Sequence, residues 1–189
     1  MKTYLILLRG INVGGRNPVP MARLRGLLEE LGYSDVSTYI ASGNVLLRSG
    51  KTPAAVKAEI EAALPRTFDL HSERVDVLVL TRDRLRAVIA DKPEGFGEQP
   101  ETYLSDAVFL IGIDATEAMK VFDPRPGVDE VWPGNGVIYS QRLGAQRTKS
   151  RLSKIVGTAA YKSMTIRSWS TTTKLMDLLE RAEADPGRA

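Results

Sequence analysis

The residues able to do chemistry are unevenly spread along this chain. Residues 131–176 contain no aspartate or glutamate, yet carry Arg142, Arg147, Lys149, Arg151, Lys154, Lys162, Arg167 and Lys174. Residues 92–130 just before them hold nine carboxylates against three cations. The whole 189-residue chain has a formal charge of only +3, so positive charge is segregated into one region and is not a general background. Such a region suits an anionic partner, either a nucleic acid or a phosphorylated small molecule. The plainer reading is a solvated basic face that keeps the protein dispersed.

Composition restricts the other chemistries. There is no cysteine, which excludes disulfides and thiolate metal sites. The single histidine, His71, cannot assemble the usual zinc ligand sets. No cofactor is expected. An enzyme built on this chain would draw its acid and base from Lys, Ser, Thr or Asp. At 43% apolar residues the chain can bury a core, as one large domain or two of roughly 90 residues each. The apolar run Tyr4 to Leu8 ends at Arg9 and is too short for a signal-peptide core or a membrane span, so a cytoplasmic location and no membrane partner are expected. Oligomeric state is not legible.

Two stretches imitate phosphate-binding loops. Gly10 and Gly15 with Arg16 and Asn17 approach a P-loop, but the motif needs Lys and then Ser or Thr leading directly into a helix, and Pro18 and Pro20 intervene. Gly50-Lys51-Thr52 has no glycine five positions earlier, and Thr52 is better read as a helix cap. His71 sits in a charged neighbourhood and reads as a surface residue.

These residues must be positioned by regular elements. Residues 3–8 read as a buried strand, 9–20 as a loop of Gly, Asn and Pro, and 21–31 as an amphipathic helix with Leu24, Leu27, Leu28 and Leu31 on one face. Strands are expected at 36–40 and 45–48, joined through Ala41-Ser42-Gly43-Asn44. A helix capped by Thr52 with Pro53 at its first position follows, then a strand over 74–80 and a helix from Thr81. Residues 92–106 read as a linker. The pattern then returns: a strand at 107–113, a helix capped by Asp114 and running to 121, strands at 128–132 and 137–141 around a 133–136 turn, a helix at 151–161 capped by Ser150, a strand at 164–167, and a helix at 171–184. Residues 185–189 read as a frayed tail. The order of elements predicts an α+β protein of two tandem ferredoxin-like (split βαβ) halves, each with an added helix: 1–91, a linker at 92–106, and 107–189.

Three motifs carry a resemblance: Arg9-Gly10-Ile11-Asn12-Val13-Gly14-Gly15 with Val19-Pro20-Met21, then Ser42-Gly43-Asn44, and finally TIRSWSTTTK over 165–174 with Leu175. Together they resemble the bacterial domain-of-unknown-function family 1697, over nearly the whole chain. Where that family carries Asn-Trp-Asn, this chain reads Ser168-Trp169-Ser170, so roles of those asparagine amides are not carried over. The resemblance implies the paired ferredoxin-like architecture and implies no activity.

In such a topology the loop after strand one and the hairpin between strands two and three leave the same sheet end. Arg9, Asn12 and Arg16 are therefore expected to approach Ser42 and Asn44. In the second half, helix starts near Ser150 and Thr171, flanked by Arg147, Lys149, Arg151, Arg167 and Lys174, are expected to form an anion site. Trp169 beside them is a candidate for stacking a base. Three functions fit: a nucleic-acid or nucleotide binder, an enzyme acting on a small phosphorylated or carboxylated metabolite, and a structural or oligomerising protein that binds nothing. The first is favoured, although the strands lack the aromatic residues of standard sheet-face RNA recognition.

Overall fold

A computed structural model describes residues 1–72 and 74–185. Of the expected tail at 185–189, residues 186–189 lie outside the described residues. The molecule is α+β, with two four-stranded antiparallel sheets. The first sheet contains β1 (Lys2–Leu8), β2 (Ser34–Tyr39), β3 (Asn44–Ser49) and β4 (Val77–Thr81) in the order β2-β3-β1-β4. The second contains β5 (Tyr103–Leu110), β6 (Asp129–Gly134), β7 (Val137–Leu143) and β8 (Met164–Ser168) in the order β6-β7-β5-β8. The helices are α1 (Met21–Glu30), α2 (Pro53–Thr67), α3 (Arg82–Ala90), α4 (Ala115–Met119) and α5 (Trp169–Ala184).

Contacts group the chain into two compact units: Met1–Leu85 together with the chain from Leu175, and Arg86–Lys174. Helices α3 and α5 therefore each contribute residues to both, and the last helix is not wholly part of the second half as 107–189 implied. The segment 92–106 read as a linker ends inside β5, which starts at Tyr103.

In the first unit, β1 is an interior strand and its continuous apolar run is buried on both faces, as an interior strand requires. Tyr4, Ile6 and Leu8 join Val45, Leu47 and Val77 beneath Leu24 and Leu28 of α1 and Val56, Ile60 and Leu64 of α2. Each fully buried Leu or Ile contributes about 1.5–3 kcal/mol, which makes this cluster the main source of stability in the unit. Thr52 accepts a hydrogen bond from the Ala55 amide at 3.3 Å, with Pro53 opening α2. Lys51 bonds both Glu59 oxygens, at 2.6 and 2.8 Å, so the Gly50-Lys51-Thr52 tripeptide is a helix start whose lysine is already engaged.

In the second unit, Val108, Leu110, Ile138 and Met164 form an apolar face with Ala118 and Ile155. The opposite face holds an aromatic cluster. Phe96 packs edge-on against Trp132, Tyr139 and Trp169, with ring centroids 6.0, 5.3 and 5.0 Å away. The Tyr139 hydroxyl donates to the Val88 carbonyl at 2.7 Å. Gly97 is obligatory here: its φ is +73°, and a Cβ would overlap the Trp169 indole.

Several boundaries differ from expectation. β4 begins at Val77, not Arg74, whose side chain is instead bonded to Asp76. β5 starts four residues early and stops at Leu110, before the turn at Gly112 with φ +76°. α4 stops at Met119 after its Asp114 cap. The helix expected at 151–161 is absent; short 3-10 turns at Leu152–Gly157 and Ala160–Ser163 take its place. Ser150 bonds the nearby Leu152 amide at 3.2 Å, and Thr158 adopts extended backbone (φ −93°, ψ 155°) after Gly157, which ends propagation. α5 starts at Trp169 and not at Thr171, because Ser168 is the cap: its Oγ accepts from the Thr171 amide at 3.2 Å.

Candidate functional site

At the loop end of the first sheet, Asn12 reaches the 41–44 turn as expected. Its Nδ2 donates to the carbonyls of Val19 at 2.9 Å and Ala41 at 2.8 Å, and its Oδ1 accepts from the Val19 amide at 2.8 Å. Asn44 is fully buried and donates to the Tyr39 carbonyl and to Ser42 Oγ, both at 3.0 Å. Asn17, which was not singled out as a site residue, ties the loop down most firmly. It is buried, donates to the Gly10 carbonyl at 2.9 Å and Ser72 Oγ at 3.1 Å, and accepts from the His71 and Ser72 amides at 2.9 and 3.2 Å. Both Asn12 and Asn17 sit at positive φ, which asparagine tolerates better than most residues. The Arg9 amide donates to the Asp76 carbonyl at 2.9 Å, and Arg16 is exposed beyond a tight turn closed by its own amide on Val13. Of the predicted residues, Asn12, Ser42 and Asn44 are thus brought to one turn, and the side-chain amides of Asn12 and Asn44 are consumed in holding it.

In the second unit, antiparallel pairing with β5 sends β7 and β8 out at the same sheet end. The predicted cations separate there. Arg151 bonds Asp123 at 3.2 Å, and Lys154 stands 3.6 Å from the same carboxylate. The Arg151 amide also donates to Asp129 Oδ2 at 2.8 Å. Arg167 is buried, with Nη1 on Thr165 Oγ1 at 3.0 Å and on the Ile166 carbonyl at 2.9 Å, and burial pulls its guanidinium down to about 10. Trp169 is 8% exposed within the aromatic cluster, which is a core position and not a stacking platform. Arg147 and Lys149 are exposed in a 3-10 turn, and Thr171 and Lys174 lie in the first turns of α5.

The same sheet end contains a cleft of about 420 Å³, within the range of small-ligand pockets. Its origin is a mismatch in strand length. β8 pairs with β5 from Asp106 onward, where Ser168 stands opposite, and the chain then turns into α5. The space beside Tyr103, Leu104 and Ser105 is bounded by Ser168, Trp169, Ser170 and Thr173 on one side and by Gly97 and Pro100 on the other. Leu104 lies opposite Arg142 and Asp106 opposite Ser140, so Arg142 and Asp106 are diagonal neighbours on one face. Arg142 Nη2 is 3.4 Å from Asp106 Oδ2, and both line the cleft. Burial pushes the Asp106 carboxyl up from the ordinary aspartate range, partly offset by the Arg142 cation.

Asp106, Arg142, Ser168, Ser170 and Thr173 were not among the predicted site residues. One signal pointed to the first: Leu104, Asp106, Val108 and Leu110 alternate on one face, and a carboxylate in that apolar register is out of place. A second cavity of about 410 Å³ lies in the first unit, lined by Ser37, Leu46 and the last turns of α5. It has fewer convergent polar groups and makes the weaker site. Among the described residues, no cluster of three or more acidic or histidine side chains is placed to hold a metal, and no helix is long and apolar enough to cross a membrane.

Comparison with known proteins agrees with the architecture and adds no activity. A conserved bacterial protein of Streptococcus pneumoniae, SP0830, has a similar solved structure, with a TM-score of 0.75 and 25% identity over 94% of this chain and 98% of the other. No curated protein matches the sequence. The profile described as "Protein of unknown function (DUF1697)" matches residues 1–139, so the chain belongs to that family.

Proposed function

We propose that the protein binds a small organic anion, phosphorylated or carboxylated, in the cleft of its second unit. The observation that carries this reading is a ligand-sized cavity with the Arg142 guanidinium on its wall and the Ser168, Ser170 and Thr173 hydroxyls at its rim. Guanidinium geometry matches a carboxylate or phosphate through paired N–H donors, and reduced solvent access strengthens that contact. The recurring strand order, second-third-first-fourth in each sheet, supports reading both halves as ferredoxin-like. The second half departs from that pattern in having 3-10 turns where a helix would follow its third strand.

A small ligand is favoured over a nucleic-acid backbone because Arg151 and Lys154 face Asp123 and Trp169 is packed inside. The nucleic-acid reading retains one support, the exposed Arg147 and Lys149 on the turn after β7. Thermal-shift screening against carboxylates, phosphosugars, nucleotides and short oligonucleotides separates the two, since a ligand that binds only the folded state raises its Tm. The expected result is a rise with a small anion that Arg142→Gln lowers by about tenfold or more in affinity. A screen in which no small anion stabilises the protein, or one in which Arg142→Gln binds like the parent, overturns the reading.

A further inference from the structure

The cleft carries a group that a purely anionic ligand does not explain. Asp106 Oδ2 stands 3.4 Å from Arg142 Nη2, and their side chains are only 20% and 28% exposed. A carboxylate this close to the anion-binding cation weakens its field and repels negative charge on a ligand. A site for an anion alone is better served by a neutral side chain at that position. The remaining wall is largely apolar, formed by Pro100, Tyr103, Leu104 and Trp169.

Building on the small-anion reading above, we propose that the cleft takes a zwitterion of the amino-acid type, with its carboxylate on Arg142, its ammonium on Asp106 and an apolar side chain along Tyr103 and Leu104. The two charges of an α-amino acid are separated by a single carbon, which suits protein groups of opposite sign that are themselves adjacent. The ligand ammonium satisfies Asp106 while the ligand carboxylate occupies Arg142, so neither protein charge loses a counter-charge when the cleft is filled. A rim of hydroxyls can accept or donate and therefore suits both ends of such a ligand.

The test is calorimetric titration of the full chain with two matched series: phenylalanine, hydrocinnamate and phenethylamine, and leucine, isocaproate and isoamylamine. At least one amino acid should bind about tenfold or more tighter than its carboxylate analogue, as a charge-assisted hydrogen bond to Asp106 requires, with the amine weaker still. Asp106→Asn should bring the amino acid and the carboxylate to within about twofold of each other. The wild-type series decides the question even if that variant fails to fold. Should hydrocinnamate and isocaproate match the amino acids on the parent protein, the zwitterion proposal falls and the small-anion reading stands. Should neither series bind while a phosphosugar or nucleotide does, the zwitterion proposal again falls alone. Should no anion of any class bind, both fall.

Discussion

The loop end of the first sheet and the cleft end of the second are both rich in polar side chains, but those side chains are used differently. In the first, Asn12, Asn17 and Asn44 direct their amides at backbone carbonyls and amides of their own and neighbouring segments. In the second, Asp106 and Arg142 stand on a strand face beside an open volume that β8 leaves by ending at Ser168. The comparison teaches that a polar, glycine-rich loop is not a site merely because it gathers functional groups. Long loops need internal hydrogen bonds to hold one shape, and side chains engaged in that role are not available to a ligand. Regular strands satisfy their own backbone, which frees the side chains they display.

The sharpest way to break this comparison is Asn17→Ala. It removes the buried Asn17 amide that partners the partly buried Gly10 carbonyl and the His71 and Ser72 amides, and alanine is poorly suited to the positive φ. We expect a loss of about 3 kcal/mol in denaturant unfolding, with ligand affinity at the cleft unchanged. A weakened ligand with intact stability would reverse the roles assigned to the two ends.

Two aspartates of the second unit, buried Asp129 and half-buried Asp106, sharpen the comparison further, because their pKa values are shifted in opposite directions. Burial raises the Asp129 pKa, but the Arg151 amide, the Ser150 hydroxyl and the Arg125 amide, with the Arg142 charge, together hold it below the ordinary aspartate range. Its contribution is therefore present above that range and lost as pH falls through the depressed value. Asp106, raised mainly by burial, contributes below the ordinary range and loses that contribution as pH rises through its elevated value. Asp129→Asn should cost about 2 kcal/mol at neutral pH and flatten the acid side of a stability-against-pH curve. Asp106→Asn should become more stable relative to the parent as pH rises. Parallel curves for the two variants would show that both carboxylates are merely structural.

The smallest effect is expected from replacing Arg147 and Lys149 together with alanine. Both are exposed, so stability should change by less than about 0.5 kcal/mol and small-anion binding should be unaffected. If the protein instead binds oligonucleotides, this double variant should reduce the slope of log affinity against log salt by roughly one unit per lost phosphate contact, which fluorescence anisotropy measures directly.

The sequence by itself determined the elements that local chemistry dictates. The apolar run at 4–8 read as an interior strand, and Thr52-Pro53 and Asp114 marked helix starts through their side-chain oxygens. It also brought the 9–20 loop to the 41–44 turn, since parallel first and second strands leave a sheet at one end. Tertiary structure alone decided the rest. Residues 151–161 form two short 3-10 turns, the first ended by the extended Thr158 after Gly157, and the Arg151 amide before them is held by Asp129, more than twenty positions earlier. Whether the basic stretch stays free depended on Asp123 lying beside Arg151 and Lys154. The cleft depended on two strands of unequal reach meeting at Asp106 and Ser168, a relation between segments about sixty residues apart. Periodicity and capping act over a few residues and are written locally, whereas charge pairing and the volume left beside a strand depend on distances that exist only after the chain has folded.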